Sequence, residues 1–222
     1  MFKRYTTPDA EPATIETLAF LEAPQSAEAE AIRSLRTRIM AQHVEQGRHT
    51  LSICAATADV GCSFVAANLA VACAHIGVKT AIVDCDLRAP ALAGLLGLPP
   101  NRSGLAEHLA KRDVSYEETL QHSALPMLSA VTAGALVENP QELLATARFK
   151  AFVAQLKREF DLVIFDTTPA NYCTDAQRVA TVAEYALIVA RKHSSFVSDV
   201  STLSRLLRAD HATVVGTVLT VF

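Results

Sequence analysis

The segment Leu51–Leu69, LSICAATADVGCSFVAANL, constrains the fold of this chain more than any other. Leu51–Ala55 is an apolar run of strand length. Ser63, Val65, Leu69, Ala72 and Ile76 then recur at helical spacing as far as Gly77, a residue suited to a left-handed C-cap. A buried strand that turns through a tight loop into a helix is the setting of a phosphate-binding loop. That pattern, GxxxxGK[ST], requires Gly at 56 and 61, Lys at 62 and Ser or Thr at 63. The chain has Ala56, Gly61, Cys62 and Ser63. Cys62 brings no charge to the phosphates, a loss of roughly 1.5–3 kcal/mol. Asp59 sets a carboxylate inside the loop, which at ~5 Å and an effective dielectric of ~20 costs about 3 kcal/mol. Together these amount to roughly 4–6 kcal/mol, enough to turn a micromolar nucleotide site millimolar. Gly61, the helix amides and a Ser63 hydroxyl able to touch Mg²⁺ remain.

Continuous apolar runs recur at Thr80–Val83, Met127–Val131, Leu162–Phe165, Tyr185–Ala190 and Thr213–Val221, alternating with helical stretches. These helices are Leu92–Leu98, Ser103–Lys111 after a turn at Pro99-Pro100-Asn101, Pro140–Glu159 with a break, and Val197–Arg208. Strands without polar alternation are buried on both faces, so the pattern predicts an α/β fold: a doubly wound, mostly parallel sheet with helices on both faces. At 222 residues, half of them hydrophobic, the chain can bury a large core. Residues 1–25 hold three prolines and no sustained period, which reads as a flexible leader or surface arm before a domain over 26–222. Ser26 then caps a helix with Glu28 and Glu30 in its first turns and Ile32, Leu35 and Ile39 on its apolar line, an N-terminal helical extension. Glu30, Arg33 and Arg36 follow at spacings of three, a row that by itself is explained by ion pairing along the helix.

The formal charge of −3 and the lack of a dense basic run exclude a nucleic-acid binder. Neither a signal peptide nor an apolar stretch of ~20 residues occurs, so no direct membrane span is expected. The five cysteines, at 54, 62, 73, 85 and 173, lack ligand spacing and read as buried reduced thiols of a cytosolic protein. The seven histidines show no metal spacing either.

Two apolar strands end in acids: Ile82-Val83-Asp84-Cys85-Asp86-Leu87-Arg88-Ala89-Pro90 and Val163-Ile164-Phe165-Asp166-Thr167-Thr168-Pro169. In open α/β sheets, ligands bind at these carboxyl ends. With the loop and the final apolar strand, they resemble the P-loop ATPase domain of the bacterial tyrosine kinases (BY-kinases) of exopolysaccharide and capsule biosynthesis, which are related to the ParA/MinD ATPases. The likeness runs from about Ser26 to the last strand. Asp84 to Pro90 is similar to the family's Walker A′ motif and Phe165 to Pro169 to its Walker B. Asn139-Pro140-Gln141-Glu142-Leu143-Leu144 and Thr174-Asp175-Ala176 match in place. Glu30-Ala31-Ile32-Arg33-Ser34-Leu35-Arg36 resembles the ExxRxxR helix through which these kinases form rings, which implies an interface at Glu30, Arg33 and Arg36 and a homo-oligomer.

The resemblance implies ATP and Mg²⁺ as cofactors, with nucleotide contacts at Asp59, Val60, Gly61, Cys62, Ser63, Phe64, Arg88 and Thr220, metal contacts at Ser63, Asp86 and Asp166, and Asp84 with Asp86 as the catalytic acids of an active enzyme. The departures are equally specific. The family's PGEGKST is replaced by Ala58-Asp59-Val60-Gly61-Cys62-Ser63-Phe64, its adenine-reading Asn by Thr220, and its tyrosine-rich tail is missing; the four tyrosines, at 5, 116, 172 and 185, are dispersed. Arg88 is expected to pair with Asp84, Asp86 or Asp166, and those acids, without the lysine, to serve equally well as caps for loop amides. A nucleophilic Cys62 is opposed by Asp59. The reading that results is a degenerate Walker A protein: a non-catalytic or weakly nucleotide-binding scaffold and chain-length regulator, cytoplasmic and held at the inner membrane by a polysaccharide co-polymerase (Wzz-like). The alternatives are an active protein-tyrosine kinase or ATPase of the same pathway, and a MinD/ParA-like positioning ATPase, although a second lysine near Thr57 is lacking.

Overall fold

In a computed structural model, residues 18–98, 103–110, 113–122 and 125–221 are described. The chain forms α1 (Ala19–Glu22), α2 (Ala27–Gln42), a 3-10 turn (Val44–Gln46), β1 (Thr50–Ala55), α3 (Cys62–His75), β2 (Thr80–Asp84), α4 (Leu92–Leu95), α5 (Leu105–Ala110), α6 (Tyr116–Thr119), β3 (Leu120–His122), β4 (Leu128–Val131), α7 (Pro140–Leu144), α8 (Ala147–Glu159), β5 (Leu162–Asp166), α9 (Asp175–Ala183), β6 (Tyr185–Arg191), α10 (Val197–Ala209) and β7 (Thr213–Thr220). The strands make one sheet in the order β3-β4-β2-β5-β1-β6-β7. All neighbours are parallel except β3 and β4. The expected doubly wound sheet is therefore present.

Alternation along each strand divides the core. Leu51, Ile53, Ile82, Ile164 and Val189 meet α2 and α3 on one face. Val83, Val163 and Phe165 meet α5 and α8 on the other, and Cys54 and Ile188 meet α9 and α10 there. α3 is buried over most of its circumference, because its run of small residues lets it lie close to the sheet.

Ser26 caps α2 by accepting from the Ala29 amide at 3.1 Å, as its position before the apolar line requires. The expected arm through residue 25 is corrected at its end. Leu18 and Phe20 are buried, and the Phe20 amide donates to Asn68 Oδ1 of α3 at 3.1 Å. Residues 1–17 and the turn at Pro99-Pro100-Asn101 lie outside the described residues. The antiparallel edge strand β3 and helix α9 are absent from the sequence reading. β3 has three residues, too few for a period to register, and α9 begins inside a motif.

Candidate functional site

The carboxyl ends of β1, β2 and β5 converge on a cavity of about 460 Å³. The loop between β1 and α3 forms one wall, from Thr57 to Phe64, and Asp86, Arg88 and Tyr172 form the other. Gly61 precedes the first turn of α3 with φ +86°, a conformation that favours glycine. Asp59 also adopts positive φ, +58°, at the position where the family has glycine. Its side chain is exposed.

Cys62 occupies the lysine position, and its thiol turns beneath the loop to donate to the Ile53 carbonyl at 3.3 Å. The Thr167 hydroxyl donates to the same carbonyl at 2.8 Å. Burial, reinforced by the nearby Asp166 carboxyl, pushes the Cys62 thiol well above its ordinary range. It is neither a nucleophile at neutral pH nor a substitute for a cation.

The acids divide into two kinds. Asp84 is buried and accepts from the amides of Asp86, Ala91 and Leu92 at 3.1–3.2 Å, so it organises the Walker A′ loop and the start of α4. Burial, with the charge of Asp86, pushes its carboxyl up to about 7 against those amides. Asp86 Oδ1 accepts from the amides of Arg88 and Ala89 and from the Thr168 hydroxyl at 2.9–3.1 Å. Asp166 differs: it is fully buried, and neither carboxylate oxygen has a hydrogen-bond partner. Burial and the charge of Asp84 raise its pKa well above the carboxylate range, while Ser63 and Cys62 face it as polar neighbours outside hydrogen-bonding geometry. An unsatisfied carboxylate beside a hydroxyl fits a hard divalent cation. Among the described residues no three acidic, histidine or cysteine side chains converge on one point, so such a cation would need phosphate oxygens to complete its shell.

Two expectations are corrected. Arg88 pairs with Asp175, Nε to Oδ2 at 2.8 Å, and not with Asp84, Asp86 or Asp166. Thr220 does not line the cavity; it stands behind the loop, its hydroxyl donating to the Val60 carbonyl at 2.8 Å. Arg191 Nη1 reaches the Asp59 carbonyl from the same side at 3.0 Å. The loop is thus held from beneath by Cys62 and from behind by Thr220 and Arg191. Asp175, Thr168 and Arg191 were not assigned roles from the sequence, because their partners stand 87, 82 and 132 residues away in the chain. The site residues Asp59, Val60, Gly61, Cys62, Ser63, Phe64, Asp86 and Arg88 do meet around the cavity, with Asp84 and Asp166 beyond its lining.

The row on α2 lies apart from this cavity. Arg33 pairs with Glu30 at 3.1 Å, donates to the Pro24 carbonyl and stacks 5.5 Å from the Phe20 ring. Arg36 donates to the Ala72 carbonyl of α3 at 3.3 Å.

A family model described as an AAA domain matches residues 49–211. The putative tyrosine-protein kinase CapB of Staphylococcus aureus is 32% identical over 206 residues, 93% of this chain and 90% of that protein. The chain belongs to the P-loop family of bacterial tyrosine-kinase domains. The tyrosine-protein kinase etk of Escherichia coli K12 is 31% identical over 88% of this chain, which spans only 27% of that longer protein. Among solved structures, the chimerical protein CapA2B2 superposes with a TM-score of 0.85 at 30% identity, covering 94% of this chain and 92% of that one.

Proposed function

We propose that this domain works by binding, as a scaffold or regulator in exopolysaccharide or capsule synthesis, with nucleotide affinity too weak to support phosphoryl transfer. The observation that carries the reading is Cys62: where the family places a cation over the phosphates, a half-buried thiol is bonded to the Ile53 carbonyl. The thiol cannot swing out to replace the charge, and removing that charge costs roughly 1.5–3 kcal/mol of phosphate recognition. The Asp59 carboxylate on the loop opposes an anion further. Where Mg²⁺ and ATP are bound, Asp166 and Ser63 are the residues to hold the ion, which would neutralise phosphate charge. Asp84, through both oxygens, and Asp86, through Oδ1, accept from loop amides and support the loop.

The partner proposed is a Wzz-like co-polymerase of the membrane, and the assembly a homo-oligomer through Glu30, Arg33 and Arg36. The nine-tenths coverage of CapB and the likeness to CapA2B2 support this. No described helix is long and apolar enough to cross a membrane. The test is thermal melting with Mg²⁺ and ATP. At ~1 mM nucleotide a millimolar site raises stability by at most about 0.4 kcal/mol, a shift near the limit of detection. A rise of several degrees overturns the weak affinity, and phosphotyrosine that disappears in Asp84→Ala establishes the active kinase instead. The double variant Asp59→Gly with Cys62→Lys is expected to bind Mg²⁺-nucleotide by calorimetry, while Thr220, tied to the loop, leaves ATP and GTP poorly distinguished.

A further inference from the structure

The corner of the sheet at the ends of β6 and β7 carries features that the nucleotide cavity does not use. Phe196 and Val197, at the start of α10, are 71% and 82% exposed, and Leu219 and Val221, at the end of the edge strand, are 59% and 75% exposed. Arg191, Lys192, His193 and Ser194 share with Val221 a second, open concavity of about 600 Å³. The Lys192 amide donates to the Thr220 carbonyl at 2.9 Å, and Ala190 lies beside Leu219 in the sheet, so the basic turn and the apolar side chains occupy one small surface. Nearby acids face elsewhere: Asp199 accepts from Ser198 and lines a separate groove with Ala56 and Leu203, and Asp59 lines the nucleotide cavity.

We infer that this corner is a membrane-contact surface: Phe196, Val197, Leu219 and Val221 enter the interface of an anionic bilayer while Lys192 and His193 meet its headgroups. An aromatic and three aliphatic side chains flanked by an exposed lysine and histidine match a boundary that is apolar below and negatively charged above. A protein partner would match the apolar part, but the basic turn adds the charge complement that an anionic lipid surface supplies throughout. In a chain of net charge −3, that local excess of positive charge also orients the molecule. Because Arg191 holds the Asp59 carbonyl, seating this turn on lipid would bear on the β1–α3 loop from outside. The surface requires no partner protein.

The test is co-sedimentation of the full chain with vesicles. It is expected to bind vesicles of equal parts phosphatidylglycerol and phosphatidylcholine, less so in high salt, and not vesicles of phosphatidylcholine alone. Phe196→Ser with Val197→Ser, and separately Lys192→Glu, should each weaken binding by roughly tenfold with unchanged melting temperature. Failure to bind anionic vesicles overturns the inference, as does equal binding by wild type and both variants. A smaller mass of the Phe196→Ser, Val197→Ser protein in light scattering, without loss of lipid binding, overturns it in favour of contact between copies.

Discussion

At the scale of single residues, Asp166 stands out because its environment is arranged against its own ionisation. A buried carboxylate without a donor favours the protonated form, so its folded-state pKa is raised. The folded state then binds more protons than the unfolded one. The stability contributed by this group is full below the unfolded pKa and lost as pH rises through the folded value. Asp166→Asn should therefore raise the melting temperature at alkaline pH, by about 1–3 kcal/mol of stability, and change it little in acid. Unchanged melting at alkaline pH would mean that the carboxylate has found a counter-charge. His43 works in the opposite sense. Its Nε2 lies 2.8 Å from the Thr50 carbonyl, its Nδ1 has no partner, and burial lowers its pKa. A His whose folded pKa is depressed stabilises the fold above its ordinary value of about 6.5 and loses that contribution as pH falls below it. Melting followed downward from neutral pH should show a shallower decline in His43→Gln than in the parent.

At the scale of elements, close approaches carry the argument. Gly104, just before α5, faces the backbone of Gly134, and an added Cβ would meet its amide nitrogen at 2.3 Å and the Thr132 carbonyl at 2.6 Å. Glu107 fastens the same junction by accepting from the amides of Gly104 and Ala135 at 2.8 and 2.9 Å. Backbone cannot yield as a side-chain tip does, so Gly104→Ala should cost about 1–3 kcal/mol in urea unfolding. On α2, the row of Glu30, Arg33 and Arg36 has intramolecular work: Arg33 joins α2 to the turn before it and Arg36 joins α2 to α3. Arg33→Ala with Arg36→Ala should lower stability by roughly 1–2 kcal/mol, more than an exposed ion pair alone. Light scattering on the same protein measures the proposed interface separately. A fall in mass at temperatures where the fold is intact supports the ring, and an unchanged mass assigns the row to α2 packing.

For the whole molecule, the sheet leaves one long margin open. β7 spans eight residues, TVVGTVLT, with no charge along it, and among the described residues pairs only with β6. An irregularity opposite Ala186 and Leu187 disturbs further pairing. Thr217→Lys, on an exposed position, should therefore slow aggregation on heating with little change in melting temperature, as followed by turbidity. An unaltered aggregation rate would place the vulnerable surface elsewhere.

Continuous apolar strands, the helical period after Gly61 and the acids ending Thr80–Asp84 and Leu162–Asp166 determined the parallel sheet and the position of the cavity without reference to coordinates, because burial of a strand on both faces is written in its composition. The same text set Cys62 and Asp59 where the phosphate-loop pattern of the resemblance has a lysine and a glycine. The partners of the replaced side chains were not legible. Whether Arg88 meets Asp84 or Asp175, whether Thr220 faces a base or the loop, and whether Leu18 lies in an arm or in the core depend on which distant residues the sheet brings together. Hydrogen bonds between groups 87 or 160 positions apart leave no local period. Only tertiary structure decided them, since each is chosen by the packing of elements whose own patterns say nothing about one another.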